Sequence, residues 1–301
     1  MTTTLVYAVD DPGARALEQR LRSELPPDAE WRRVDHARFA VKVAGANLVC
    51  YRSGKVVLQG AGAGEFAAQY LRELAASAPR DDASMPFEAP TIGADEAGKG
   101  DYFGPLVVAA VYAEPAQRAE LSAMGVADSK TLSDQRMFPM AERIERTCDC
   151  EVRELLPADY NDRWRADPNV NHLLADLHSD AVAALLRRHP DAEVVVDKFG
   201  DERLIADRLR QRLGRPPRRL VQVPRAEGHP AVGAASVVAR VHFVEGFQRC
   251  EEESGTDLHK GAGAPVDVAA ARAFAIGGRQ LLARIAKLHF KNSQRLAGLM
   301  P

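Results

Sequence analysis

The stretch of sequence that decides the fold and the chemistry is Thr91-Ile-Gly-Ala-Asp95-Glu96-Ala-Gly98-Lys99-Gly100-Asp-Tyr-Phe-Gly104-Pro105. A short apolar strand ends here in two adjacent carboxylates and runs into a glycine-rich loop. Glycine lets backbone N–H groups approach a ligand, so Gly98, Lys99 and Gly100 are candidates to contact a phosphodiester or a sugar hydroxyl. The GxxxxGK[ST] spacing of a P-loop is missing. A solvated Asp-Glu turn is the simpler alternative.

Two further carboxylates follow predicted strands. Asp197 ends an apolar run, and Glu227 comes after the next predicted strand. Because ligands bind at the carboxyl ends of strands in open α/β sheets, Asp95, Glu96, Asp197 and Glu227 are candidates for one site. Neighbouring strand residues point to opposite faces, so Asp95 and Glu96 are expected to converge only if regular pleating ends there. Asp197 as a turn residue and Glu227 as a helix-dipole partner are the alternatives.

Four carboxylates in one place are electrostatically costly unless cations occupy the cluster. Oxygen ligands without histidine or cysteine indicate Mg²⁺ or Mn²⁺ rather than zinc. Two such ions about 4 Å apart suit in-line displacement at phosphorus, where one activates water and the other stabilises the leaving oxygen. The sequence has no HxxxH or HExxH pair for zinc and no GxSxG elbow for a serine nucleophile.

The first part of the chain, residues 1–77, is predicted to form a small α+β domain. Two helices cover only one face of its sheet, so Arg38, Ala40 and Lys42 are expected to point outward as a flat cationic surface. An ordinary solvated sheet face is the alternative. The predicted elements are a strand at 5–9, helices over 13–25 and 64–76, and three antiparallel strands between 38 and 59.

A proline-rich segment with few aliphatic residues, 78–90, is predicted to be a linker to a second domain over 91–301. Strands and helices alternate in this domain, which predicts an α/β fold with a central, largely mixed or parallel sheet and helices on both faces. Two or three helices are expected after residue 230. The predicted strands cover 91–95, 106–113, 150–155, 193–197 and 219–223, and the predicted helices cover 133–146, 171–188 and 202–212.

The C-terminal segment carries basic residues at helical spacing. Arg284, Lys287, Lys291 and Arg295 recur at steps of three and four, and no Asp or Glu occurs after Arg279. This spacing predicts one basic helical face. A solvated face of a docked helix is its simplest interpretation, because a basic stripe alone is weak support for an anionic partner.

Composition excludes several classes of protein. With 46% hydrophobic and 27% charged residues, the 301-residue chain is expected to be globular rather than disordered or fibrous. No apolar run approaches the ~18 residues that span a bilayer, so no membrane association is expected. A net charge of −2 gives no argument about partners. Four cysteines without CxxC or zinc spacing indicate free thiols and a cytoplasmic protein.

The segment Gly93-Ala-Asp95-Glu96-Ala-Gly-Lys-Gly-Asp-Tyr-Phe-Gly-Pro105 resembles the opening motif of type 2 ribonucleases H. It is most similar to ribonuclease HIII, which typically has Gly-Lys-Gly where ribonuclease HII has Gly-Arg-Gly. The segment from Phe39 to Gly60 is similar to the TATA-binding-protein-like substrate domain that precedes the catalytic domain of ribonuclease HIII. Further segments that match in order are Val126-Ala-Asp128-Ser129-Lys130-Thr-Leu132, Asn169-Val-Asn171, Val196-Asp197, Ala226-Glu227, Ala234-Ala235-Ser236-Val-Val-Ala-Arg240 and Leu258-His-Lys260.

This resemblance implies a ribonuclease H-like fold preceded by a TATA-binding-protein-like domain. It also implies an endonuclease that hydrolyses the RNA strand of RNA/DNA hybrids to 3′-hydroxyl and 5′-phosphate ends. By the same resemblance, Asp95, Glu96, Asp197 and Glu227 are the catalytic carboxylates and the ligands of Mg²⁺ or Mn²⁺. The fourth is glutamate where ribonuclease HII usually has aspartate.

The resemblance also assigns substrate contacts. Gly98, Lys99 and Gly100 would recognise the ribose 2′-hydroxyl, the group that distinguishes RNA from DNA. Ser129 and Lys130 would hold a phosphate, and the first domain would bind the hybrid without reading its sequence. A monomer is expected, because no apolar stripe is left over once both cores are assigned.

Two alternative functions remain open. One is a ribonuclease HII-like enzyme that incises at single embedded ribonucleotides, which Lys99 and the additional first domain both disfavour. The other is a non-catalytic nucleic-acid-binding protein in which the first domain does the binding. The complete set of four carboxylates counts against this second alternative.

Overall fold

The computed structural model describes residues 3–34, 37–52, 54–72, 74, 89–126, 134–224 and 226–298. The chain forms two compact units that divide between Asp82 and Ala83. Most of the linker predicted over 78–90 lies outside the described residues, as do Ser129 and Lys130. In the part of the chain that the structure describes, no helix has the length and apolar character needed to cross a membrane.

The first unit is a five-stranded antiparallel sheet in the order β1-β5-β4-β3-β2 with helices packed against it. The predicted antiparallel meander is confirmed. The sequence did not predict β2, because three residues are too few to establish an alternating pattern. The strands are β1 (Thr3–Ala8), β2 (Glu30–Arg32), β3 (Ala37–Val43), β4 (Ala46–Tyr51) and β5 (Lys55–Gly60), and the helices are α1 (Asp11–Glu24) and α2 (Ala63–Tyr70).

Both helices pack on one face of this sheet, where Leu21 of α1 and Phe66 of α2 share a core with the inward-facing strand residues. On β3 the alternation turns Lys42 outward, as predicted. Ala40 lies outside this core yet is completely buried, because its methyl group is shorter than the side chains around it. Arg38 pairs with Asp11 of α1, since a register shift next to it interrupts the alternation. The outer face is therefore less cationic than the sequence predicts.

The second unit contains a five-stranded mixed sheet in the order β10-β9-β6-β7-β8. Here β6, β9 and β10 run parallel, whereas β7 is antiparallel to both of its neighbours, β6 and β8. The predicted mixed α/β sheet is confirmed. The strands are β6 (Thr91–Ala97), β7 (Leu106–Ala113), β8 (Asp149–Leu155), β9 (Glu193–Asp197) and β10 (Leu220–Val223).

Helices cover both faces of this sheet, and alternate residues of β7 enter two different cores. Val107, Ala109 and Val111 join one core, and Leu106, Val108 and Ala110 join the other. The two short helices Pro115–Met124 and Pro157–Ala166 were not predicted, because polar and small residues hide their apolar periodicity. The helices are α3 (Pro115–Met124), α4 (Asp134–Thr147), α5 (Pro157–Ala166), α6 (Val170–Arg188), α7 (Arg203–Leu213), α8 (Pro230–Ser254), α9 (Ala264–Ile285) and α10 (Lys291–Gly298).

The first turn of α8 packs directly on the backbone of β6. A Cβ atom at Gly93 would lie 2.2 Å from the carbonyl carbon of Ala231 and 2.3 Å from the backbone nitrogen of Val232. Real Cβ atoms do not approach backbone this closely, so only glycine permits the contact. This close approach places α8 beside the carboxylates that follow Gly93 on β6.

The single basic face predicted for the C-terminal segment is wrong. Helix α9 ends at Ile285 and α10 begins only at Lys291, so the four basic residues do not share one helix. Lys287 lies in the connection between the two helices and is fully buried rather than solvated. A spacing of three and four residues predicts a shared face only where the helix continues.

Lys287 fastens the C-terminal segment to the turn that follows the glycine-rich loop. Its Nζ donates hydrogen bonds to the carbonyl oxygens of Phe103, Gly104 and Pro105. Its backbone N–H donates to the carbonyl oxygen of Tyr102 at 2.8 Å. Four consecutive residues of the turn are thus held by one buried side chain and its own backbone.

Burial lowers the pKa of Lys287 to about 7, although the charge of Asp101 acts in the opposite direction. In the unfolded chain the lysine pKa is about 10.4, so the unfolded state binds more protons between these values and the free energy of unfolding rises with pH. From about pH 7 to pH 9, the natural protein should gain about 2 kcal/mol in stability relative to Lys287→Met. Urea denaturation of both proteins at each pH measures this difference. A difference that stays constant with pH would contradict the lowered pKa.

Candidate active site

A cleft opens in the second unit where two parallel strands stop pairing. The register of β6 with β9 ends at Ala94 and Val196, and the next residue on each strand is an aspartate, Asp95 and Asp197. The cleft has a volume of about 400 Å³. Its lining residues are Asp95, Glu96, Ala97, Gly98, Lys99, Gly100, Met137, Asp197, Ser236 and Arg240.

Asp95 is the buried carboxylate of the cleft, with only 7% of its surface exposed. It accepts hydrogen bonds from the side chain of Ser236 on α8 and from the backbone N–H of Glu96, the latter at 2.8 Å. Burial, followed by the negative charges of Glu96 and Asp197, raises the pKa of Asp95 to about 7. The charged form of Asp95 is therefore costly in this cleft without a cation nearby.

Glu96 lies at the same cleft but is supported from the opposite face of the sheet. Its Oε2 is 3.2 Å from Nε2 of His178 on α6, and its Oε1 is 3.6 Å from Nζ of Lys99. Although burial alone would raise it, the contacts with His178 and then Lys99 hold the pKa of Glu96 below its usual value. Glu96 is therefore the more readily ionised of the two adjacent carboxylates.

The expectation that regular pleating ends at these two carboxylates is wrong. Strand β6 stays paired with β7 through Ala97, and Asp95 and Glu96 turn toward α8 and α6 respectively. They reach one cleft because β9 no longer pairs with β6 at this height. The end of a neighbouring strand, rather than a distortion of β6, brings the two side chains together.

His178 is a residue of this site that the sequence analysis missed. Its side chain is completely buried, and its ring stacks on Phe199 with a centroid separation of 4.9 Å. The same Phe199 ring lies 5.7 Å from Nζ of Lys99. One signal was available in the sequence, because His178 and Ser179 interrupt the otherwise apolar inner face of a long predicted helix.

Asp197 and Glu227 occupy different positions relative to the cleft. Asp197 lines it, and its Oδ1 accepts a hydrogen bond at 3.0 Å from the backbone N–H of Ala226. Glu227 follows Ala226 in the short 3-10 turn Ala226–Gly228 and is half-buried, but it is not among the residues that line the cleft. The structure thus brings three of the four predicted carboxylates to one surface and leaves the fourth beside Asp197.

The glycine-rich loop closes one side of the cleft, and Gly98, Lys99 and Gly100 all line it. Gly98 has a φ of +85°, and a Cβ atom there would lie 2.2 Å from the carbonyl oxygen of Pro105. Both features require glycine. Asp101 then anchors the loop, because its Oδ1 accepts a hydrogen bond from the backbone N–H of Gly261 at 2.6 Å.

The donor chemistry of the cleft fits a hard divalent cation. Its carboxylates are oxygen donors, with no cysteine or histidine among the lining residues. Burial, followed by the charges of Glu96 and Asp197, raises the pKa of Asp95, and a bound cation would favour its charged form. Within the described ranges, no three His, Cys, Asp or Glu side chains are already arranged to hold an ion. The cleft therefore contains carboxylate oxygen donors, but they are not already arranged around one ion position.

Two family models match the chain, one in each unit. The model described as Ribonuclease HII matches residues 92–293, which include Asp95, Glu96, Asp197 and Glu227. The model described as Domain of unknown function (DUF3378) matches residues 14–81. The two matches together cover most of the chain and do not overlap.

Curated relatives and a solved structure agree with these matches. The chain is 35% identical to ribonuclease HIII of Protochlamydia amoebophila, with 87% of each protein covered, and 38% identical to ribonuclease HIII of Geobacillus kaustophilus, with 86% of this chain and 88% of the relative covered. It is similar to the crystal structure of Bst-RNase HIII in complex with Mn²⁺, with 33% identity, a TM-score of 0.67 and 99% of both chains covered. The chain therefore belongs to the ribonuclease HIII family of endoribonucleases.

Proposed function

We propose that this cleft hydrolyses the RNA strand of RNA/DNA hybrids and leaves 3′-hydroxyl and 5′-phosphate ends. Ribonuclease H activity on hybrids follows from membership of the family, and the assignment of individual residues is the proposal. One observation carries it: Asp95, Glu96 and Asp197 meet at the point where β6 and β9 stop pairing. A bound divalent cation would offset the cost of bringing these three carboxylates together.

In this proposal Asp95, Glu96 and Asp197 bind Mg²⁺ or Mn²⁺, and Glu227 approaches from the turn beside Asp197. A cation held there would activate water and stabilise the leaving oxygen. Ser236 orients Asp95, and His178 orients Glu96, so that both carboxylates face the scissile phosphate. Water adds to phosphorus, the bond from phosphorus to the 3′ oxygen breaks, and that oxygen leaves as a hydroxyl.

The glycine-rich loop selects ribose in this proposal. Gly98, Lys99 and Gly100 line the cleft next to the carboxylates, where their backbone can contact the 2′-hydroxyl. Glu96 lies 3.6 Å from Nζ of Lys99 and partly neutralises it. Lys99 therefore attracts phosphate less strongly than an unpaired lysine would. Ser129 and Lys130 hold a neighbouring phosphate, a role that stays a prediction because both lie outside the described residues.

The first unit binds the hybrid backbone through the open face of its sheet. Lys42 and Lys55 are exposed and supply positive charge to that face. Contacts of this kind recognise phosphates without reading sequence, and their affinity falls as salt rises. We place the enzyme in the cytoplasm as a monomer, consistent with four cysteines that form no disulfide.

Asp95→Asn tests the catalytic assignment. Removing this carboxylate charge should reduce cleavage of a labelled RNA/DNA hybrid by roughly 10³-fold, because transition-state electrostatics depend on it. The thermal unfolding midpoint should stay the same or rise, since asparagine removes one of three neighbouring negative charges. A folded Asp95→Asn protein that retains metal-dependent cleavage would rule out the assignment.

The substrates in that assay separate the possible functions. The unaltered protein is compared on a continuous hybrid, an RNA duplex, a DNA duplex and a DNA duplex with one ribonucleotide, each with Mg²⁺, with Mn²⁺ and with a chelator. Cleavage of the continuous hybrid, abolished by the chelator, is the expected result. Efficient cleavage of only the single-ribonucleotide duplex would instead favour a ribonuclease HII-like activity, and binding without cleavage would indicate a non-catalytic protein.

His178→Leu tests the support of Glu96. The leucine fills the buried space but cannot donate a hydrogen bond to the carboxylate, so Mn²⁺ affinity should fall about 10- to 100-fold. Isothermal titration calorimetry measures the Mn²⁺ affinity of each protein. His178→Gln retains an N–H near the same place and should recover part of the lost affinity. His172→Leu on the same helix is the matched control, because His172 pairs with Asp167 instead. Equal Mn²⁺ affinities in all four proteins would show that His178 only fills space.

A further inference from the structure

One face of α8 borders the cleft with residues that have distinct chemistry. Ser236, Arg240 and Phe243 are spaced by four and three residues, which places them on the same side of a helix. Ser236 contacts Asp95, and Arg240 lines the cleft. The proposed function assigns no role to Arg240.

The guanidinium of Arg240 forms a long ion pair with Asp134, whose Oδ1 is 4.0 Å from Nε of Arg240. The other oxygen of Asp134 is already bound by Nζ of Lys260 at 2.8 Å. Nε of Arg240 is buried and forms no hydrogen bond within the described part of the chain. An arginine so placed retains hydrogen-bonding capacity and positive charge for a ligand.

The Phe243 ring lies beside the guanidinium of Arg240 and limits where it can lie. The guanidinium carbon of Arg240 lies 5.8 Å from the centroid of the Phe243 ring, which is fully buried. The same ring lies directly under the glycine-rich loop, since a Cβ atom at Gly98 would be 2.7 Å from its Cδ2. The Phe243 ring therefore lies next to both the glycine-rich loop and the guanidinium of Arg240.

Lys99 provides the comparison within the same cleft. Lys99 and Arg240 are the cationic residues among those that line it, and each side chain is about half-exposed. Lys99 lies 3.6 Å from Glu96, which partly neutralises its charge. Arg240 lies 4.0 Å from Asp134, a carboxylate that it shares with Lys260, so less of the Arg240 charge is neutralised.

We propose that Arg240 binds a backbone phosphate of the RNA strand next to the scissile bond. This inference rests on the proposed function, because it takes the cleft as the place where the RNA strand is cut. A planar guanidinium donates two parallel hydrogen bonds to phosphate oxygens, a geometry that lysine does not reproduce. Arg240 is a substrate-binding residue in this assignment, and it takes no part in proton transfer.

The first experiment measures binding against salt. Arg240→Gln should raise the KM for a hybrid about 10-fold with little change in kcat, since one charge-assisted contact is lost. The slope of log affinity against log salt should become shallower by about 1. Arg240→Lys should restore the slope but only part of the affinity. Arg249→Gln is the matched control, because Arg249 lies on the same helix and pairs with Glu154.

The second experiment locates the phosphate. Single neutral methylphosphonates are introduced at successive positions of either strand, and the protein and Arg240→Gln are compared on each substrate. At one RNA-strand position beside the cleavage site, the two proteins should bind equally, because the contact is already absent. The assignment would be overturned if each methylphosphonate weakened the binding of both proteins equally, or if the salt slope of Arg240→Gln were unchanged. It would also be overturned if the position at which the two proteins bind equally lay in the DNA strand.

These outcomes are separate from those that test the nuclease itself. If the natural protein does not cleave the hybrid, the proposed function fails before Arg240 is considered. If it cleaves and Arg240→Gln keeps the same KM and salt slope, the function stands and only the phosphate assignment fails. Thermal unfolding of each variant confirms that the comparison is made between folded proteins.

Discussion

The cost of burying Asp95 beside two other carboxylates, Glu96 and Asp197, is the constraint on which the rest of the site depends. Asp95 is almost fully buried beside Glu96 and within the field of Asp197, and this raises its pKa to about 7. A protein tolerates such an arrangement when a carboxyl group takes up a proton or when a bound cation offsets the charge. The same cost favours the binding of a divalent cation in the cleft.

The two adjacent carboxylates, Asp95 and Glu96, receive hydrogen bonds from opposite faces of the sheet. Because pleating continues through β6, Asp95 turns to Ser236 on α8 and Glu96 turns to His178 on α6. Each carboxylate therefore has its own hydrogen-bond partner from a separate core. A fold with helices on one face only could orient one of the two side chains but not both.

The loop beside these carboxylates is held by residues that lie far away in sequence. Gly261 binds the side chain of Asp101, and Lys287 binds three successive carbonyls after the loop. Phe243 lies beneath Gly98 and positions Arg240 at the same time. The connections on either side of α9 thus hold the loop beside the cleft, without contributing a carboxylate.

The sequence by itself determined the α/β fold, the mixed sheet and the family, because strand periodicity and the Asp95 to Pro105 motif are local patterns. It also indicated the four carboxylates, whose catalytic role stays a prediction. It did not determine which side of the sheet each carboxylate faces, the partner of Arg38 or the burial of Lys287. Those depend on where β9 stops pairing, where β3 shifts register and where α9 ends. His178 and Arg240 acquire their surroundings only when helices distant in the chain pack around one strand, and no local pattern records that packing.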